Sequence, residues 1–174
     1  MRGEIKVTIV DLAPIGCAAL EDLLKQGQDA AMRGLRAARD MCLAEVKKQI
    51  HATKPYAPID QRALLDNWEI GELANGYYFE AKAPHATFVE FGTKPHWAPL
   101  DKLEAWAERK LRGKFKNTKK RANAAKEMAR KVQFKIAHHG TKGRFFFTRA
   151  AERFPEIATL ALDDEMNRFA AKGG

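Results

Sequence analysis

The stretch L-D-N-W-E-I-G-E-L-A-N-G-Y-Y-F-E-A-K-A, Leu65 to Ala83, places two apolar-rich arms around Ala74-Asn75-Gly76. Asn-Gly between such arms is a strong hairpin signal, because the tight turn needs positive φ. Leu65 to Leu73 and Tyr77 to Ala83 are therefore expected to be paired strands. Trp68 and Ile70 alternate with polar neighbours on one arm, as do Tyr78 and Glu80 on the other. One face should rest on a helix and the other should point toward a partner.

Before the hairpin, from Cys17 to about Ala52, the apolar set Leu20, Leu24, Ala31, Leu35, Ala38, Cys42, Val46 and Ile50 recurs at three-, four- and seven-residue steps. That periodicity predicts a long amphipathic helix. Gly27 and Gly34 each weaken it by roughly 1 kcal/mol relative to Ala, which leaves room for a kink there. Pro55 and Pro58 end it. Further upstream, Glu4 to Val10 alternates with period two and is rich in β-branched residues, which reads as a third strand; Pro14 and Gly16 break it.

After the hairpin, Pro84 to Phe91 reads as a short helix or turn stopped at Gly92. Leu100, Leu103, Ala107 and Leu111 form one helical stripe, and Ala122, Ala125, Ala129, Val132 and Ile136 another, within Asn117 to Ala137. Phe145 to Ala171 is a last helical region that Pro155 either bends or splits. The fold class is α+β: a small antiparallel sheet of three or more strands packed by a long N-terminal helix, with additional helices in the C-terminal half. One domain over residues 1–174 is expected, with a basic helical insertion at about 94–139. An open sheet edge must be protected or paired.

The hydrophobic share of 45% and charged share of 30% suit a globular protein. No run approaches the ~18 apolar residues of a membrane span. Met1 to Val10 has no signal-peptide core, so synthesis in the cytoplasm is expected. Cys17 and Cys42 are 25 residues apart on the predicted helix, roughly 37 Å, so they cannot bridge within one chain and read as small buried hydrophobes.

The net charge of +9 is concentrated. From Arg109 to Arg149, 15 Lys or Arg stand against one acid, Glu127, which is +14 and leaves 9 − 14 = −5 for the remainder. Arg109, Lys110, Arg112, Lys114, Lys116, Lys119, Lys120 and Arg121 are candidates for contact with DNA or an acidic partner, with Phe115 available to stack on a base. A solvated helix face is the bland alternative, and no helix-turn-helix, finger or RNA-binding signature accompanies the run.

Enzymatic signatures are sparse. Pro58-Ile59-Asp60 with Glu80-Ala81-Lys82 formally matches a metal-dependent nuclease pattern, but that pattern is degenerate and Asp60 falls in a loop. His85, His96, His138 and His139 have no metal-ligand spacing, and no nucleophile elbow, P-loop or dinucleotide fingerprint is present. No enzymatic activity and no cofactor or metal are expected.

Two short blocks carry a more specific signal. The first is P-H-A-T-F-V-E-F-G-T, Pro84 to Thr93; the second is H-H-G-T-K-G-R-F-F-F-T-R-A-A-E, His138 to Glu152. Following a long helix and a hairpin, they resemble the signature blocks of the neck and tail-completion proteins of tailed bacteriophages. Those blocks read Y-A-x-x-V-E-x-G-T and a Gly-Thr turn leading into P-F-L-x-x-A. Here His85-Ala86 stands for Tyr-Ala, Arg144 replaces the proline, and the span between the blocks, Lys94 to His139, is longer than usual. The resemblance implies a structural virion protein of the head–tail connector, made in the host cytoplasm and located at the head–tail junction. It implies a homo-oligomeric ring with sixfold symmetry around the DNA channel, neighbouring connector and tail proteins as partners, packaged DNA nearby and no membrane. Val89, Glu90, Phe91, Gly92, Thr93, Phe145, Phe146 and Phe147 are the candidate subunit-interface residues. Glu90 and Thr93 are expected to supply hydrogen bonds, Gly92 to permit a turn, and at least one of the three phenylalanines to meet another element or subunit. The alternative function is a non-specific nucleic-acid-binding protein using the basic segment 109–149.

Overall fold

Helix α1 (Ala18–Ala52) opens the described part of the chain. The computed structural model describes residues 18–53, 60 and 62–172, so the strand expected at Glu4–Val10 and Cys17 lie outside it. There follow α2 (Ala63–Asp66), β1 (Trp68–Leu73), β2 (Gly76–Ala81), α3 (Ala86–Phe91), β3 (Gly92–Thr93), α4 (Leu100–Lys110), α5 (Thr118–His139), β4 (Thr141–Lys142), α6 (Phe146–Ala151) and α7 (Phe154–Ala171). The fold is α+β. Among the described residues its strands form two separate two-stranded antiparallel sheets, β1-β2 and β3-β4, where one sheet of three or more was expected. The chain divides into a first unit, residues 1–90 and 145–174, and a second, Phe91–Arg144.

In the first unit, α1 buries Ala30, Gly34, Ala38, Cys42, Val46 and Ile50 at a four-residue step, with Leu43 and Glu45 buried beside them. With 3.6 residues per turn, that stripe rotates by roughly 40° at each step and so winds around the helix. It serves more than one neighbour: α7 packs along α1, while α6 and β2 also contact it. The α1–α7 pair is antiparallel, since Gly27 faces Phe169, Gly34 faces Leu162 and Glu45 meets Arg153. A Cβ at Gly34 would lie 3.1 Å from the Leu162 Cα. Gly34 therefore admits the α7 backbone within a continuous helix, where the sequence alone suggested a kink.

The hairpin forms, but its turn is shifted by one residue. Leu73 pairs with Gly76, which leaves Ala74-Asn75 as the turn. Positive φ is found at Arg62, Phe145, Gly92, Gly113 and Gly140, and at none of Ala74, Asn75 or Gly76. Asn-Gly thus marks the turn without supplying the conformation expected of it. Leu65 is also not in the strand; with Leu64 it is buried in α2, whose Leu64 carbonyl accepts from Trp68 Nε1 at 3.0 Å.

Cross-strand register places Trp68, Ile70 and Glu72 on the same face as Ala81, Phe79 and Tyr77. That face meets the core through Tyr77 and Phe79, a correction to the expected alternation at Tyr78 and Glu80. Phe79 packs edge-on against Trp68 (5.9 Å) and Phe154 (6.0 Å), and Phe147 closes the cluster 5.8 Å from Phe154. Arg36 and Arg39 lie over the Tyr77 ring. On the opposite face Tyr78 covers Gly71 and donates to Glu69, while Lys82 bridges Glu69 and Glu80. Pro155 sits in the first turn of α7, where a missing N–H is tolerated, so the last helical region is split in two.

In the second unit α4 packs on α5 through alanines: Ala107, Ala125 and Ala129 are wholly buried. Asn117 caps α5 by accepting from Lys120 N–H at 3.1 Å. Gln133 ties α5 to the segment before α4 by donating to the Ala98 carbonyl at 2.8 Å.

Candidate functional site

Ala86 and Glu90 lie four residues apart on α3 and both face inward, Glu90 with no exposure at all. A buried carboxylate is costly unless hydrogen bonds replace its water. Helix α6 supplies them. Phe147 N–H donates to Glu90 Oε2 at 2.9 Å; Thr148 N–H and its hydroxyl donate to Oε1 at 2.8 and 2.7 Å. These are charge-assisted bonds at the positive end of a helix dipole. Helix α6 has no cap of its own: Phe145 occupies that position in the left-handed region (φ 50°) with no side-chain cap bond. Its N–H donates to the Glu90 carbonyl at 3.1 Å. Glu90 is therefore the cap of a helix 57 residues further along the chain, and it ties together the points where the first unit is left and re-entered.

Within the second unit the two Gly-Thr pairs meet each other. Gly92 pairs with Lys142 and Thr93 with Thr141. The two threonine hydroxyls are 3.0 Å apart, and Thr141 N–H donates to Thr93 Oγ1 at 3.2 Å. A Cβ at Gly92 would sit 2.2 Å from the Thr141 carbonyl oxygen, and one at Gly140 would sit 2.0 Å from that of Thr93. Both glycines also have positive φ. The close approach and the backbone conformation independently require glycine.

The eight candidate interface residues fall into three groups. Glu90 and Phe146 are fully buried within the chain. Val89 and Phe147 pack half-buried on the core, and Gly92 and Thr93 are likewise half-buried. Phe91 and Phe145 are 58% and 47% exposed, so two of the eight offer large apolar surface. The sequence reading missed Phe88, three residues before Phe91 on α3 and 59% exposed; that helical spacing was the available signal. It also missed Thr148, because a helix-capping partner so distant in sequence leaves no local trace.

Of the basic candidates, Arg109 and Lys110 end α4, Arg112, Lys114 and Lys116 occupy the connection, and Lys119, Lys120 and Arg121 form the first turn of α5. Arg109 and Arg121 are half-buried and the other six are exposed.

Of the nuclease-like residues, Asp60 and Glu80 are half-buried. Glu80 and Lys82 are engaged with each other on the outer face of the hairpin. The four histidines are exposed; His96 Nδ1 lies 2.9 Å from the Lys94 carbonyl and His138 Nδ1 2.8 Å from that of Phe134. Among the described residues no group of three or more His, Cys, Asp or Glu could hold a metal ion, and no helix is long and apolar enough to cross a membrane. Compared with protein-family models, with curated proteins and with solved structures, the chain finds no match.

Proposed function

We propose that the chain is a structural virion protein of the head–tail connector of a tailed bacteriophage, a neck or tail-completion ring around the DNA channel. The observation that carries this reading is the Glu90 clasp. The Glu and the Phe-Phe-Thr run of the two resembling blocks are engaged in holding α3 and α6 together. Such a clasp gives a rigid frame, and rigid frames presenting exposed aromatics suit assembly. Phe88, Phe91 and Phe145 are the apolar groups so presented. The partners are further copies of the chain in a closed ring, hexameric by the resemblance, together with the connector and tail proteins above and below. The protein is made in the host cytoplasm and ends in the virion, without cofactor or catalysis.

The test is electron microscopy of the purified chain alongside complementation of a virion with altered protein. Closed rings, and loss of joined heads and tails with Phe91→Asp plus Phe145→Asp, are expected. A chain that stays monomeric at every concentration, together with normal virions from the double variant, overturns the reading.

A further inference from the structure

The cations of this chain form two populations. Among the described residues of the first unit they are largely engaged: Arg33 with Glu165, Arg36 with Glu72, Arg62 with Asp66, Lys82 with Glu69, Arg153 with Glu45 and Arg168 with Asp164. In the second unit 16 Lys and Arg stand against 4 Asp and Glu; that +12 leaves 9 − 12 = −3 for the rest of the chain. Helix α5 is the extreme. Among the described residues, the side chains of Lys119, Lys120, Lys126, Arg130 and Lys135 make no hydrogen bond or ion pair, and Lys131 alone on this helix has a carboxylate, Glu127.

These charges break the local rules of helix design. Lys119, Lys120 and Arg121 crowd the first turn, the positive end of the dipole, and no acid offsets them there. Lys126 and Arg130, and again Lys131 and Lys135, repel at four-residue spacing. Uncompensated violations of this kind mark a site that serves something outside the chain.

The geometry indicates what that is. Lys119, Lys126, Arg130, Phe134 and His138 succeed one another by seven and four residues, so they form a row that winds slowly along α5 over roughly 28 Å. Phe134 is 60% exposed with its ring 4.0 Å from that of His138. A winding row of point charges ending in an aromatic suits a phosphate chain with sugars and bases beside it. An open concavity of about 420 Å³ next to the row is lined by Met128, Val132, Lys131 and Lys135 with the one acid of the helix, Glu127, so it carries less net positive charge than the row. We propose that the α5 face led by Lys119, Lys126 and Arg130 binds the phosphodiester backbone of nucleic acid without regard to base sequence. This stands on the charge distribution and the placement of side chains along α5, and holds whether or not the chain sits at a head–tail junction.

The experiment is fluorescence anisotropy of the full chain with a labelled duplex of about two helical turns and with a single strand of equal length, across a salt series. The triple variant Lys119→Gln, Lys126→Gln, Arg130→Gln should lower the log–log salt slope by about 2.7 on duplex and about 2.1 on single strand. On duplex that is an affinity loss of about 500-fold at 0.1 M salt. The charge-retaining triple Lys119→Arg, Lys126→Arg, Arg130→Lys should bind as the parent does. A control with the same charge loss, Arg36→Gln, Arg62→Gln, Arg168→Gln, should leave the slope unchanged. Tighter binding to one form identifies it as the partner, and either form supports the proposal. Three results overturn it: no binding of either form at low salt, equal weakening by the two glutamine triples, or competition by polyglutamate as effective as by DNA at equal charge.

Discussion

Replacing Glu90 by alanine strips three donors of their acceptor at once: the Phe147 and Thr148 amides and the Thr148 hydroxyl. Thr148 is exposed, so water replaces part of what it loses. Phe147 is half-buried, and an unsatisfied amide there costs about 1–3 kcal/mol. Loss of a helix cap contributes about 1 kcal/mol, and the space vacated at a fully buried position adds to both. About 3 kcal/mol in total is expected for Glu90→Ala. Glu90→Gln keeps the shape and one oxygen but turns an NH2 group toward a donor, and it loses the favourable charge at the α6 terminus; about 1.5 kcal/mol is expected. Of the three tryptophans only Trp68 is in the first unit, so with Trp97 and Trp106 changed to phenylalanine its fluorescence follows that unit during urea unfolding. At about 2 kcal/mol per molar of urea, the alanine variant should shift the midpoint by about 1.5 M. Hydrogen exchange at the Phe147 and Thr148 amides should speed up in both variants. A Glu90→Ala midpoint within about 0.2 M of the parent, equivalent to under about 0.5 kcal/mol, would refute the reasoning. So would a Glu90→Gln variant as stable as the parent, because the charge would then contribute nothing.

Gly92→Ala and Gly113→Ala separate steric approach from backbone strain. Both residues have positive φ, but a Cβ at Gly113 meets nothing within 4 Å while one at Gly92 collides with the Thr141 backbone. Gly113→Ala should cost about 1–2 kcal/mol and Gly92→Ala clearly more, read from the second unit by Trp106 fluorescence with Trp68 and Trp97 replaced. Burial pushes the Cys42 thiol from its ordinary 9.0 up to about 11. In a Cys17→Ser background it should resist a thiol reagent at pH 8 until the chain unfolds. Its raised folded-state value also means that its contribution to stability is full below pH 9 and is lost between 9 and about 11. The Gln49 side-chain hydrogen bond, aided by Lys48 and Arg153, holds the Glu45 carboxyl below its usual range. Its stabilisation is present above the unfolded carboxyl pKa and falls away on acidification, so Glu45→Gln should flatten the acid side of a melting temperature–pH profile.

Periodicity made α1, α4 and α5 legible from the sequence, because each of those helices has an apolar stripe that depends only on neighbours within a few turns. The hairpin was legible for a similar reason, although which residues close its turn depends on the pairing of whole strands, and Leu73 with Gly76 overrode the Asn-Gly preference. The two blocks that frame the candidate site could be recognised as peculiar, but their mutual relation could not. Glu90 and Phe147 are 57 residues apart, and Thr93 and Thr141 are 48 apart. No local rule connects residues so far apart. Gly34 likewise reads as a weak point in an isolated helix, and only the approach of α7 turns it into the place where two backbones come together. The clustering of positive charge is already explicit in the order of amino acids. That most described cations of α5 lack partners while those described in the first unit are largely engaged was decided by tertiary structure, because folding determines which carboxylates come within reach of each cation.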